Sequence, residues 1–177
     1  MSLEPQPLCN HGEGFFTWHA YDPSCKAELW STAYFTERDT ILFDPIDWPK
    51  NSPTPTGSVQ IVKTNANHDR CCESLARSFR GQLSTTPPGF QPIPLVGAGE
   101  NENAYFHRST GTLVVGDALI HLAPNPLLPL PDKYCTDPSR LKTSLRDLLE
   151  LPIQRIFFAH GAPILQDGRN QIRKLLS

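Results

Sequence analysis

Apolar and polar positions change their period several times along the chain, and each change marks an element. Residues 15–21, Phe-Phe-Thr-Trp-His-Ala-Tyr, are rich in aromatics and stop at Asp22-Pro23-Ser24, which predicts a strand ended by a turn. Residues 27–35 and 39–45 predict two more strands joined tightly through Glu37-Arg38-Asp39, an opening meander. Residues 46–58 are rich in proline and threonine and predict a loop. Residues 59–63 are short and apolar, suited to a buried strand. Leu75, Ala76 and Phe79 then take one-face spacing, predicting a helix over 70–79 with Gly81 as its stop.

The second half repeats the alternation. Residues 83–94 are irregular. Residues 103–107 and 112–115 should pair as a hairpin around Ser109-Thr110-Gly111. Asp137 is placed to cap a helix with Pro138 at its first position, and Leu141, Leu145, Leu148 and Leu149 form the apolar stripe. Residues 153–159 predict a last strand and 167–176 a closing helix. Strands, helix, strands, helix, strand, helix imply an α+β chain: two mixed sheets packed face to face, helices outside. The expected organisation is a loose lead-in over residues 1–13 and a single domain over 14–177.

Composition narrows the function classes. With 177 residues the chain can bury a substantial core. Its formal charge is -2, its pI is near 6.3 and no basic cluster exceeds two adjacent residues, so nucleic acid is not the expected partner. The first residues have neither a basic start nor an apolar core, and no apolar run is long enough for a bilayer, so no membrane association and a cytoplasmic location are expected. Five cysteines without C-x-x-C spacing read as free thiols rather than a disulfide framework or a cysteine zinc site. Eighteen prolines, about twice the average usage, cluster over 45–55, 87–94 and 124–131 and read as ordered connections.

Candidate chemistry concentrates in residues 61–70, Ile-Val-Lys-Thr-Asn-Ala-Asn-His-Asp-Arg, where an apolar run stops in polar side chains at a helix start. Strand ends converge side chains, and a helix N-terminus adds free N–H groups. Two later stretches also put polar residues at strand ends: Gly116-Asp117-Ala118-Leu119 and Phe158-Ala159-His160-Gly161. A strand-end aspartate or histidine alone is as often a satisfied core group as a functional one. His11, His19, His107 and His121 read as surface or packing residues, with His121, shortly after Asp117, the one placed to line the same cleft.

Together these three stretches resemble the metallo-β-lactamase fold, whose loop reads Thr-His-x-His-x-Asp-His and whose later strands deliver an aspartate and a histidine. The resemblance spans about residues 15–177 and implies an αββα sandwich. Thr64 and Asp69 match; Asn65 and Asn67 stand where histidines belong, Arg70 replaces the last, and Ala98 falls where a further one is expected. An amide oxygen is a poor zinc ligand, and a guanidinium has no lone pair to give.

What the resemblance leaves as metal ligands is Asp69, Asp117 and His160, with His68 and Glu100 as unorthodox helpers. At most one weakly bound divalent ion, zinc, manganese or iron, is therefore expected. A bacterial branch of the fold resembles this chain in Thr-Asn-x-x-His-x-Arg, which implies His68 and Arg70 as site residues beside Asp117 and His160, with Arg70 pairing Asp117, and Lys133-Tyr134 on a substrate-side loop. The implied function is hydrolase-like with most ligands replaced, inactive or weakly active on an ester, thioester or phosphodiester, a pseudo-enzyme in the limit. The alternative is a non-catalytic module binding a small anion or a protein. The aromatic N-terminal strand could pair at an open edge, giving a homo-oligomer.

Overall fold

The computed structural model describes residues 3–177, and these divide into two compact units. The first takes the chain up to Lys63 and returns for His68–Pro87; the second takes Thr64–Asn67 and Pro88–Ser177. The region expected as one domain therefore comprises two compact units, and the segment richest in candidate chemistry contributes to both.

The first unit is a six-stranded sheet in chain order: β1 (Cys9–Asn10), β2 (Phe15–Asp22), β3 (Ala27–Phe35), β4 (Asp39–Phe43), β5 (Ser58–Val62) and β6 (Gln82–Leu83). β1 to β4 pair antiparallel, whereas β5 runs parallel to β4 and β6 parallel to β5. Trp18, Ala20, Ala33, Leu42, Val59 and Ile61 join Cys72 and Leu75 of helix α1 (Cys72–Ser78) in its core. The expected lead-in is not loose where described: Cys9 faces Thr17 across β1 and β2, and Leu3 N–H donates to Asp47. Residues 1 and 2 lie outside the described residues.

Two boundaries differ from expectation for a backbone reason. β4 stops at Phe43, not Pro45, because Asp44 has φ +46, and α1 begins after Arg70 because that residue has φ +35. Neither value continues a strand or a right-handed helix. The left-handed exit from α1 falls on Arg80 (φ +52) rather than Gly81. Gly81 serves contact instead: a Cβ there would lie 2.8 Å from the Val59 carbonyl oxygen.

The second unit holds a four-stranded sheet ordered β12 (Arg155–Phe158), β9 (Thr112–Val115), β8 (Asn103–His107), β7 (Phe90–Pro94), and a two-stranded ribbon of β10 (Leu119–Ile120) with β11 (Leu128–Pro129). The β8–β9 hairpin forms as expected, turning at Gly111 with φ +60. β7 and β11 lie in proline-rich stretches read from sequence as connections. Both tolerate proline because they are terminal strands of their sheets, where a missing N–H need not break a ladder. Helices α2 (Pro138–Asp147) and α3 (Gly168–Leu176) bury Leu141, Leu145 and Ile172 among Leu113, Val115, Ile156 and Phe158.

β12 runs parallel to β9 with Phe158 opposite Val115. Asp117 and His160 each lie two residues beyond that last pair. The register therefore delivers both strand-end side chains to the same end of the sheet. Among the described residues no helix is long and apolar enough to cross a membrane.

Candidate functional site

The turn after β5 belongs to the second unit, and backbone bonds hold it there. Thr64 carbonyl accepts from Asn103 N–H at 2.7 Å, and Ala66 N–H donates to Glu100 carbonyl at 3.0 Å. Between them the Asn65 side chain is buried and fully engaged. Its Oδ1 accepts from Asn67 N–H at 2.9 Å, while its Nδ2 donates to Glu102 Oε2 at 2.8 Å and Asp117 Oδ2 at 3.0 Å. Glu102, also buried, accepts from Ala118 N–H through Oε1 at 3.1 Å. Asp117 meets His160 through its other oxygen, with Oδ1 3.1 Å from Nε2.

Gly116 makes this cluster sterically feasible. A Cβ at that position would lie 2.3 Å from Thr64 Oγ1 and 2.7 Å from Glu102 Oε1. His121 serves the backbone around His160: its N–H donates to His160 carbonyl at 3.1 Å and its Nδ1 lies 2.7 Å from Ala162 carbonyl.

The first unit carries a second polar cluster at the end of β4. His68 Nδ1 lies 3.0 Å from Asp44 Oδ2, with side chains only 6% and 3% exposed. The Asp44 carbonyl accepts from Ser31 Oγ at 2.8 Å and from Arg70 Nη1 at 2.9 Å, and the same Nη1 donates to Trp30 carbonyl at 2.6 Å. Arg70, expected beside Asp117, thus ties the middle of β3 to the residue that follows β4 in its own unit. Asp69, expected as a metal ligand, is an exposed residue whose Oδ1 accepts from Lys63 Nζ at 2.6 Å.

Burial pushes the neighbouring Cys71 thiol up to about 11 and Cys72 to about 12. Both are therefore packed thiols rather than thiolates at neutral pH. Of the other sequence candidates, Asn67, Glu100, Lys133 and Tyr134 are exposed, with Lys133 Nζ 4.7 Å above the Tyr134 ring.

Within the second unit, Asp117 and His160 bring a carboxylate and an imidazole, both able to ligate a metal ion, to 3.1 Å of one another. Sequence reasoning missed two residues that matter to these clusters. Glu102 had no local signal at all; Asp44 had one, the Asp-Pro that ends its strand.

No family model and no curated protein matches the chain. Solved structures do. The metallo-β-lactamase DIM-1, in a crystal structure of the protein exposed to ceftazidime, superposes with a TM-score of 0.69 at 11% identity, over 99% of this chain and 98% of that one. A metallo-β-lactamase from Erythrobacter litoralis gives 0.70 at 11% identity, over 98% and 95%. A metallo-β-lactamase superfamily protein from Sulfolobus tokodaii gives 0.62 at 11%, over 84% and 78%.

The chain has the metallo-β-lactamase fold.

The mixed sheets and helices described above are those of its αββα sandwich, as the sequence resemblance implied. In the metallo-β-lactamase fold a shared architecture hosts many chemistries, so these likenesses fix the scaffold and leave the reaction to the site residues.

Proposed function

We propose that this chain is a metallo-β-lactamase-fold hydrolase-like protein built around a single divalent ion rather than a pair, with Asp117 and His160 as the ligands that its second unit supplies. An imidazole and a carboxylate are donors that suit zinc, manganese or iron(II), and two protein ligands leave coordination positions open. The fit is supported by how the ligands are held. Asn65 Nδ2 holds Asp117 Oδ2 at 3.0 Å and is itself anchored on Glu102, the kind of outer hydrogen bond that orients a ligating carboxylate.

The observation that carries the reading is a gradient of exposure around one pair. Asp117 and His160, in contact at 3.1 Å, are 24% and 21% exposed, within reach of solvent and substrate. The side chains that steady the Asp117 carboxylate, Asn65 and Glu102, are buried. A metal ion bound there would supply Lewis acidity toward a carbonyl or phosphoryl oxygen. The chain's own contribution is to hold Asp117 through Asn65 and to seat the His160 backbone on the His121 N–H. Esters, thioesters and phosphodiesters are the substrates such a site would take.

Elemental analysis tests this directly, on protein purified without chelator and after dialysis against zinc, manganese or iron(II). The expected content is about one ion per chain, lost in Asp117→Ala and in His160→Ala. No stoichiometric metal under any of the three conditions overturns the reading.

A further inference from the structure

Asn65 stands where the resembled loop has a metal-binding histidine, yet its amide is committed to partners of its own unit. The Asn67 N–H on Oδ1 settles which way the amide faces: oxygen toward Asn67, nitrogen toward the two carboxylates. An amide nitrogen has two hydrogens, and here one meets Glu102 Oε2 and the other Asp117 Oδ2. Glu102 is equally committed, since its second oxygen accepts from Ala118 N–H. Only a residue with two acceptor oxygens fits between these two donors.

We infer that Asn65 and Glu102 are positioning residues for Asp117. Buried Glu102 anchors the Asn65 amide, the amide fixes Asp117 Oδ2, and this directs Oδ1 toward His160 Nε2 at 3.1 Å. With Asn65 in place of a histidine, this loop position aims a carboxylate by a donated hydrogen bond instead of ligating an ion. Where the site holds an ion, which rests on the proposed function, the same arrangement sets which Asp117 oxygen the ion meets.

Glu102→Gln is nearly isosteric and must set an NH2 group against either the Asn65 amide or the Ala118 N–H. Asn65→Ala removes the donor to Asp117 outright. The test is proton and nitrogen NMR of the full-length, metal-free protein, with His160 assigned by comparison with His160→Gln. The parent should show a downfield Nε2–H resonance of His160 bonded to a carboxylate. Both variants should lose or shift it while far-ultraviolet circular dichroism stays that of the parent.

A parent spectrum without that resonance, or two folded variants that keep it unchanged, overturns the inference. Should Asn65→Ala not fold, Glu102→Gln decides alone. In the zinc-loaded protein, competition with a chromophoric chelator should show affinity weakened about 10- to 100-fold in both variants. If the parent binds no ion, the single-ion reading fails, and the imidazole resonance still decides the positioning role.

Discussion

Asp44 shows how much one residue can hold. Its φ of +46 belongs to the left-handed region, which aspartate and asparagine tolerate better than most residues because their short polar side chains bond locally. Every polar group of the residue is used: N–H to Val62 carbonyl, carbonyl to Ser31 and Arg70, carboxylate to His68. Asp44→Asn keeps the left-handed tolerance and the shape while removing the charge. It should leave the fold intact and lower the melting midpoint, because a buried carboxylate acceptor for His68 Nδ1 is replaced by a neutral amide. An unchanged midpoint would mean that Asp44 acts through its backbone and not through its carboxylate. At this scale the sequence was half legible. It marked Asp117 and His160 as strand-end groups, as the register of β9 and β12 has them, but a donor's partner cannot be read from the donor. Asn65 finds Glu102 37 residues away and Asp117 52 residues away.

At the scale of elements the sequence was a better guide, because the signals are local. Asp137 caps α2 as its position before Pro138 implied, its Oδ1 accepting from Ser139 and Arg140 N–H at 3.0 and 3.1 Å. The Ser139 and Arg140 donors hold its carboxyl below the usual value of 3.8, with the Ser139 hydroxyl the largest cause. A depressed folded-state pKa contributes stability above the unfolded value and loses it as the pH falls through the folded one. Asp137→Ala should therefore melt below the parent at pH 7, and the gap should close in acid below pH 3.8. A gap that persists in acid would assign the loss to packing rather than to the charged cap. Strand edges were less legible. β7, with Pro92 and Pro94, looked like a connection because the penalty for proline depends on whether the strand has a neighbour on both sides, and only the assembled sheet decides that.

For the whole molecule, the match to DIM-1 at 11% identity over 99% of the chain shows how few identities the metallo-β-lactamase fold requires. Pattern and volume hold it, while the side chains at strand ends are free to change. Ligand binding to the native state alone raises stability by an amount set by concentration over Kd, about 2.7 kcal/mol at a hundredfold excess. Excess zinc should accordingly raise the melting midpoint of the parent and not of Asp117→Ala, and chelator should reverse the rise. A shift that survives in Asp117→Ala would place the stabilising ion elsewhere on the molecule.

The sequence by itself determined the longer strands and the three helices, the α2 cap, the β8–β9 hairpin and the strand ends that bear Asp117 and His160. These follow from periodicity, capping and turn chemistry within a few residues of chain. The tertiary structure alone decided that Asn65 would serve Asp117, that Glu102 would anchor Asn65 and that Asp44 would hold His68. Hydrogen bonds across tens of residues leave no local trace, because each partner's composition and spacing satisfy the chain equally well until the sheets bring the two together.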